Sequence, residues 1–172
     1  MKILNLLLLM CALSMATAQA AQSKASSAGF NPAKTFFGAG ISRNSISGSE
    51  DGTGMQVFGG YRFGEIGRGL KLDGELGYMD TGDMDVVVNV PFFGRVITTT
   101  DAKGLWTTAV LRVMFSHAMD GIGRIGLDFG DDDGLMAGIG LGFNLSKTVQ
   151  MRIEYVERDH VDSAQLNLVI GQ

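Results

Sequence analysis

The stretch QMRIEYVERDH, residues 150–160, decides the fold of this chain. Within it the charged residues Arg152 and Glu154 alternate with the apolar residues Ile153 and Tyr155. Successive side chains of a strand point to opposite faces, so the alternation predicts a strand. It does not say which face is inside. A soluble sheet would bury Ile153 and Tyr155, whereas a membrane barrel would turn them to lipid and enclose the charges.

The first 20 residues have the features of a secretory signal peptide. Lys2 provides a positive start, an apolar stretch follows, and small residues repeat as A-x-A up to Ala20. This pattern predicts a signal peptide at 1–20 that is cleaved after Ala20, and the apolar stretch is too short for a transmembrane helix. We expect residues 21–33, which are small and polar, to be a disordered leader, and residues 34–172 to form one domain.

Composition and charge exclude several classes of protein. The chain has 14 basic and 18 acidic residues, and cleavage removes one lysine, which leaves 14 − 1 = 13 basic residues and a net charge of 13 − 18 = −5. An acidic chain is unsuited to nucleic acid, whose backbone requires a basic surface. The one cysteine, Cys11, is lost with the signal peptide, so the mature chain has neither a disulfide nor a thiolate metal site. The 25 glycines and two prolines fit many turns and closely packed strands.

Alternating segments separated by turn residues predict eight strands. Each is about as long as a tilted strand that crosses a bilayer, roughly 9–11 residues, and no segment with a helical period competes. The predicted strands are residues 35–43, 54–63, 69–80, 104–115, 122–129, 134–144, 148–158 and 163–172.

The aromatic residues of the apolar faces favour a membrane barrel over a soluble sandwich. One face of each predicted strand is almost free of charge, and its aromatic residues gather near the strand ends. Two outward rings of this kind are typical of membrane interfaces, whereas a sandwich alternates but gives no reason for such rings. The sequence therefore predicts an all-β, eight-stranded antiparallel up-and-down transmembrane β-barrel. The two rings are Phe63, Phe115 and Phe143 at one end, and Tyr78, Phe129 and Tyr155 at the other.

The opposite faces of the strands would enclose a network of charges. An isolated buried charge is very costly, and an eight-stranded barrel is just wide enough for side chains to fill it, so we expect pairing and a plugged polar core. The predicted interior charges are Arg62, Lys71, Asp73, Glu75, Arg112, Arg124, Asp128, Arg152, Glu154 and Arg158. Glycines would provide inward gaps for long side chains at positions Gly38, Gly40, Gly138, Gly140 and Gly142.

With these segments in order, the chain resembles the small outer-membrane barrel family typified by the OmpA transmembrane domain and OmpX. The resemblance implies an eight-stranded barrel in a Gram-negative outer membrane, in contact with lipid and lipopolysaccharide and inserted by the barrel-assembly machinery. It departs from the family at Gln172, where members usually end with an aromatic residue. The segments that carry the resemblance are FFGAGIS at 36–42, VFGGYRFG at 57–64, LDGELGYMD at 72–80, MAGIGLGFNLS at 136–146 and RIEYVERD at 152–159, with DSAQLNLVIGQ at the end of the chain.

Residues 80–103 form the longest connection, with two runs of strand character around the sequence PFFG. One interpretation is a hairpin above the membrane whose exposed edge binds an extracellular protein partner by strand addition. The other is a loop without regular structure or a tip that lies on lipid headgroups. The candidate partner-binding residues are Val86, Val88, Phe92, Phe93 and Arg95.

Two polar turns are candidate chemical sites. The acidic turn at 131–133 lacks the ligand alternation of a calcium loop, which favours a solvated tight turn. His160 and Ser163 lie near acidic residues in the last outer turn, but these residue types meet in short turns by chance. We therefore expect no catalytic residue, no cofactor and no metal site.

The sequence favours a non-enzymatic outer-membrane barrel with a structural or surface-interaction role. Three alternatives stay open. A small pore for hydrophilic solutes would need a water path past Arg112 and Arg152. A lipid-modifying barrel enzyme would use His160 or Ser163. A soluble periplasmic sandwich or lipid-binding barrel would need no membrane.

Overall fold

The computed structural model describes residues 30–46, 51–90 and 94–171, with side chains outside 86–96. The predicted signal peptide, most of the leader and Gln172 lie outside the described residues. Pro32–Gln172 form one compact unit, and the unit Met1–Asn31 is described only at its last two residues. The barrel unit opens with a short 3-10 turn at Pro32–Lys34.

Eight antiparallel strands of this unit close into a barrel, which confirms the predicted fold class. Each strand pairs with its neighbours along the chain, and the last strand returns to pair with the first, with Phe37 opposite Ile170. The barrel strands are β1 (Thr35–Ser45), β2 (Gly52–Gly67), β3 (Leu70–Asp80), β6 (Lys103–Met114), β7 (Met119–Gly130), β8 (Gly134–Asn144), β9 (Val149–Glu157) and β10 (Asp162–Ile170).

Two strands differ from the predicted bounds by more than two residues. β2 runs to Gly67 instead of ending at 63, and its register against β3 shifts after Arg62 and again after Glu65. Such bulges let a strand continue while it bends at a barrel rim. β7 begins at Met119 instead of 122, so Asp120 belongs to the barrel wall.

The connection at 80–103 is a hairpin. β4 (Met84–Val90) and β5 (Gly94–Thr100) pair with each other in a separate two-stranded sheet, with Met84 opposite Thr100. The predicted strand runs are thereby confirmed as strands. Phe92 and Phe93 lie outside the described residues, and the side chains of Val86, Val88 and Arg95 are not described.

Burial along β9 answers the question posed by its sequence. Arg152 is 0% exposed and Glu154 is 2% exposed, whereas Ile153 is 52% and Tyr155 is 50% exposed. The charged face of this strand is therefore the inside of the barrel. The same arrangement holds around the wall, and it leaves large apolar side chains outward, among them Ile41, Val57, Leu76, Leu105, Leu127, Ile139 and Leu168.

The six aromatic residues predicted to ring the two ends of the barrel also face outward. Five of the six residues are exposed and Phe143 is half-buried. Among the described residues there is no helix long and apolar enough to span a membrane.

The barrel interior also contains an apolar cluster, which the sequence reading did not anticipate. Glycines make room for its rings, because a Cβ at Gly38 would collide with Phe58 and one at Gly60 would collide with Phe36. The position of Gly38 therefore fits the predicted role of an inward gap. The cluster consists of Phe36, Phe58, Met79, Trp106, Met136, Val156 and Val169.

The two ends of the barrel differ. At the turn end, short connections at 68–69, 115–118 and 145–148 join the strands, and Gly69 takes a positive φ of 72° in the tightest of them. At the hairpin end lie the β4–β5 hairpin and the connections at 131–133 and 158–161. Barrels of the outer membrane have short turns on one side and longer loops on the other, and the two ends of this barrel differ in the same way.

Candidate functional site

The structure places eight of the ten predicted interior charges fully inside the barrel, all at most 5% exposed. The other two, Arg62 and Lys71, are half-buried near the turn end. Because removing charges from water costs several kcal/mol per ion, these groups are tolerated only where partners surround them. The buried eight are Asp73, Glu75, Arg112, Arg124, Asp128, Arg152, Glu154 and Arg158.

Near the turn end, Arg112 binds two carboxylates. Its Nε and Nη2 donate to the two oxygens of Asp73 at 2.7 and 3.4 Å. Its Nη1 donates to Asp120 Oδ2 at 3.4 Å. The fork of Arg112 on Asp73 is the bidentate geometry in which a guanidinium binds a carboxylate most specifically.

Gln150 links this group to the barrel centre. Its Nε2 donates to Asp120 Oδ2 at 2.9 Å, and its Oε1 accepts a hydrogen bond from Arg152 Nε at 2.8 Å. The neutral amide of Gln150 therefore connects Asp120 with Arg152 through two hydrogen bonds. The result is one continuous network from the turn end to the middle of the barrel.

Two carboxylates and two guanidiniums meet at the centre. Glu75 accepts from Arg152 Nη1 at 2.6 Å and from Arg124 Nη2 at 3.3 Å. Arg124 Nη2 also lies 2.6 Å from Glu154 Oε2, in an orientation that makes an ion pair without an aligned hydrogen bond. The four side chains are all at most 4% exposed and their charges balance, two against two.

Amides continue the network toward the hairpin end. Asn167 Nδ2 donates to Glu154 Oε1 at 3.1 Å. Gln56 Nε2 donates to Asn167 Oδ1 at 2.6 Å and to Gln165 Oε1 at 2.8 Å. These amides are neutral, so they fill this part of the lumen without adding charges that would need a partner.

A second polar network lies at the hairpin end. Arg158 Nε pairs with Asp128 Oδ2 at 2.6 Å, and its Nη1 donates to Ser163 Oγ at 2.8 Å. Ser163 Oγ donates in turn to Asn44 Oδ1 at 2.7 Å, and Asn44 Nδ2 donates to the carbonyl of Thr81 at 2.8 Å. This network ties β1, β7, β9 and β10 to the base of the hairpin.

Aromatic rings pack against the central arginines. The guanidinium of Arg124 lies 5.6 Å from the Trp106 ring, and that of Arg152 lies 5.6 Å from the Phe36 ring. Trp106 also packs on Phe58, with ring centroids 5.6 Å apart. Charged groups and rings together occupy the lumen, and cation–π attraction adds to the ion pairs.

The hairpin end is closed by apolar side chains as well. Met84 and Val161 are at most 1% exposed. Thr81 holds the hairpin base through a hydrogen bond from the Ala102 amide to its hydroxyl at 2.8 Å and from its own amide to the Ala102 carbonyl at 3.0 Å. Met84, the first residue of the hairpin, is therefore buried together with Thr81 and Ala102, which flank the hairpin.

Asp120 is the charged residue that the sequence reading missed. It is 4% exposed and bonded to both Arg112 and Gln150. The predicted strand starts at residue 122, which puts Asp120 in the preceding turn. Its spacing from Arg124 was the available signal. Asp120 lies four residues before Arg124, and an even spacing along a strand puts both side chains on the same, inward face.

The acidic turn at 131–133 binds backbone groups. Asp131 accepts the amide of Lys103 at 3.0 Å. Asp132 accepts the amides of His160 and Val161 at 3.0 and 3.2 Å and also contacts His160 Nδ1 at 2.9 Å. Within residues 30–46, 51–90 and 94–171, no group of three His, Cys, Asp or Glu residues is arranged to hold a metal ion.

His160 and Ser163 point to different surroundings. His160 has a side chain 74% exposed and bonded to Asp132, whereas Ser163 is 0% exposed and bonded to Arg158 and Asn44. No hydrogen bond between His160 and Ser163 occurs in the part of the chain that the structure describes. In this arrangement His160 and Ser163 do not form a nucleophile–base pair with each other.

A surface ion pair lies beside the hairpin. Lys103 Nζ is 2.7 Å from Asp101 and 3.3 Å from Asp80. The hydrogen bond from Lys103, and then its charge, lower the pKa of Asp101 below its usual value. Both groups are exposed, so the pair contributes little to stability.

A cavity of about 740 Å³ opens at the turn end. It reaches inward to Asp73 and Arg112, where the first ion pairs begin. Arg62 and Lys71, the two half-buried members of the predicted set, line it.

Comparisons with known proteins agree with this architecture. A family model described as outer membrane protein beta-barrel domain matches residues 6–168. A de novo designed transmembrane β-barrel aligns with a TM-score of 0.54 at 12% identity, covering 82% of this chain and 97% of the design. The outer membrane protein Ail of Yersinia pestis, in a phospholipid bilayer nanodisc, aligns with a TM-score of 0.51 at 14% identity, covering 79% of this chain and 97% of Ail.

Neisserial surface protein A aligns with a TM-score of 0.49 at 12% identity, covering 80% of this chain and 96% of its own. No curated protein matches the sequence significantly. At such identities the structural likeness shows the fold alone.

Proposed function

This chain belongs to the outer membrane protein β-barrel domain family, and we propose that it is a non-enzymatic scaffold of the outer membrane that displays the β4–β5 hairpin at the cell surface. Its role would be structural or that of a surface-interaction protein. The barrel would anchor and orient the hairpin, and the hairpin would meet the partner.

The filled interior is the observation that carries this proposal. Ion pairs and amides run without a break from Asp73 to Gln165, and aromatic rings pack between them. A lumen occupied in this way supports a rigid plug rather than a path for solutes. Arg112 and Arg152, past which a pore would have to conduct water, are at most 4% exposed.

The hairpin supports a surface role. β4 and β5 pair only with each other among the described strands, so each has an outer edge with unpaired backbone groups. Such an edge is a template on which a partner adds a strand. The proposed partner is an extracellular protein, and the residues proposed to bind it are Val86, Val88, Phe92, Phe93 and Arg95.

The surroundings of the barrel follow from its outer face. The exposed apolar belt and its aromatic ends suit contact with outer-membrane lipid and lipopolysaccharide. We propose that the chain reaches that membrane after cleavage of residues 1–20 and is inserted by the barrel-assembly machinery.

The cavity at the turn end favours one second candidate, a small pore whose vestibule is this cavity. Single-channel recording in planar bilayers separates the two functions, with a porin in the same bilayer as the positive control. The scaffold predicts no conductance steps from the purified wild-type barrel. Regular steps that vanish when Arg112 is replaced by a bulkier tryptophan would establish the pore instead.

Protease treatment of intact cells tests the display of the hairpin. A protease added outside is expected to cut within residues 85–99 and leave the barrel strands intact. A control variant with 85–99 replaced by Gly-Gly keeps Met84 and Ala102, and is expected to assemble but escape cleavage. Cleavage of wild type only after the outer membrane is permeabilised would place the hairpin in the periplasm and reject the proposal.

A further inference from the structure

The cavity at the turn end, here called the basin, has more basic groups than it can pair internally. Asp73 and Asp120 line it, but both carboxylates bind Arg112. The third acid, Glu65, accepts the backbone amide of Gly69 at 3.1 Å. The basic residues of the basin are Lys34, Arg62, Lys71, Arg112 and Lys147.

Four of these five cations have no carboxylate at ion-pair distance, although Asp73 is opposite Arg62 in the register of β2 and β3. Among the described residues, no carboxylate lies within 4.0 Å of Lys34, Arg62, Lys71 or Lys147, although Glu65 is opposite Lys71 in the register of β2 and β3. Five basic residues and three acidic residues line the basin, which leaves a positive excess of 5 − 3 = 2 charges.

Arg62 is held in place by a ring and not by an anion. Its guanidinium lies 5.1 Å from the centre of the Phe36 ring. Its Nη2 is buried and has no hydrogen-bond partner. A buried donor without an acceptor costs free energy.

Lys71 adds a second unusual feature. It is directly opposite Arg112 in the register of β3 and β6. Like charges placed opposite each other across two strands destabilise a sheet. Asp73 and Asp120 already compensate the charge of Arg112, and an anion beside Lys71 and Arg62 would compensate theirs.

We propose that the basin binds a phosphate group, as the free ion, a soluble phosphate ester or the headgroup of a phospholipid in the periplasmic leaflet. Arg62 provides a planar fork for phosphate oxygens and Lys71 a point charge at the same depth. Lys34 and Lys147 provide charges near the mouth. A tetrahedral anion with several oxygens suits donors that converge from β2, β3 and the turns around them.

Isothermal titration of the mature folded barrel tests the proposal. The protein is kept in a phosphate-free glucoside detergent and titrated with inorganic phosphate, and then with dihexanoyl phosphatidylglycerol and dihexanoyl phosphatidylcholine. Saturable binding of phosphate is expected. Competition by phosphatidylglycerol but not by phosphatidylcholine assigns the site to an anionic headgroup, and absence of lipid binding assigns it to a soluble phosphate.

Arg62→Gln is expected to weaken phosphate binding at least about tenfold, the loss of one charge-assisted hydrogen bond. Arg43→Gln is the matched control, because Arg43 is an exposed arginine at the hairpin end, 75% exposed and paired with Asp51. It is expected to bind like wild type.

Lys71→Gln provides an independent variant in case Arg62→Gln does not fold, and a gel shift on heating verifies the fold of each. Absence of saturable phosphate binding to the wild type would overturn the proposal. Binding that Arg62→Gln and Lys71→Gln leave unchanged would overturn it equally.

Discussion

Replacing Glu75 by glutamine is expected to destabilise the barrel more than any exchange of a surface charge. The carboxylate of Glu75 lies between two guanidiniums, 2.6 Å from Arg152 Nη1 and 3.3 Å from Arg124 Nη2. Glutamine has nearly the same shape and keeps one acceptor, so the change removes charge without opening a cavity. Arg124 then keeps the carboxylate of Glu154, and Arg152 loses the carboxylate with which it pairs.

The expected loss is about 3–5 kcal/mol, the range found when one partner of a buried ion pair is removed. A second route gives a similar value, because two hydrogen bonds to charged groups at about 1.5–3 kcal/mol each are weakened at once. The exposed pair of Arg43 and Asp51 provides the comparison, and Arg43→Gln is expected to cost less than about 1 kcal/mol.

The assay is equilibrium unfolding in urea of the barrel refolded into lipid vesicles. Trp106 is the only tryptophan in the chain and lies in the lumen beside Arg124 and Phe58, so its fluorescence reports the packed interior. The free energy of unfolding is compared between wild type, Glu75→Gln and Arg43→Gln.

A double variant makes the test specific to the ion pair. Glu75→Gln with Arg152→Gln removes one charge of each sign and leaves Arg124 with Glu154. The loss in free energy of unfolding of the double variant is expected to be smaller than the sum of the losses of the two single variants, by at least about 1 kcal/mol. A loss below about 1 kcal/mol for Glu75→Gln, or strict additivity, would refute the reasoning that these charges stabilise the interior by pairing.

The remaining predictions concern the wall, the lipid face and an outer turn. Gly38→Ala is expected to lower the free energy of unfolding by about 1–3 kcal/mol, because its Cβ meets an aromatic ring, whereas Gly123→Ala meets nothing and should change it by less than about 0.5 kcal/mol, both measured by urea unfolding. Ile139→Arg puts a charge on the outer face in the middle of β8 and is expected to cost about 2–4 kcal/mol in vesicles; an unchanged free energy of unfolding would mean that this face does not meet lipid. Asp132→Ala removes the acceptor of two backbone amides and is expected to speed proteolytic cleavage at 158–161, and equal cleavage rates would show that these hydrogen bonds do not hold the turn.

The alternation of polar and apolar residues along each strand predicted most of the fold. This alternation can be read from the sequence because it depends only on the order of residues within one strand. In β9 the alternation of Arg152 with Ile153 separated the two faces, and the aromatic ends indicated that the apolar face is outside. Parity also placed Arg112, Arg124 and Glu154 inside.

Which charge meets which partner was beyond the reach of the sequence. Glu75 and Arg152 are 77 positions apart and come together because the barrel closes, across a lumen and not along one strand pair. The role of Gln150 as a link between Asp120 and Arg152 depends on side-chain orientation for the same reason.

The ends of the strands were the weakest part of the sequence reading. β2 continues past Arg62 through bulges, which have no simple pattern in the sequence. β7 already includes Asp120 and Gly121, two residue types that favour turns. Pairing of these residues with β6 therefore overrode their local preference for a turn. The apolar layer around Trp106 and Phe58 was also missed, since inward aromatic residues look like exceptions to alternation until the glycines opposite them are seen.

Heat modifiability shows whether this chain is a closed barrel with lipid outside and charges inside. Outer membranes of cells that produce the chain are dissolved in SDS, and its mobility on a gel is compared with and without boiling. The account predicts that the chain is in the outer-membrane fraction and changes mobility on boiling, because a folded barrel resists cold SDS. A soluble periplasmic chain with the same mobility in both samples would contradict it and would mean that Arg152 and Glu154 face water.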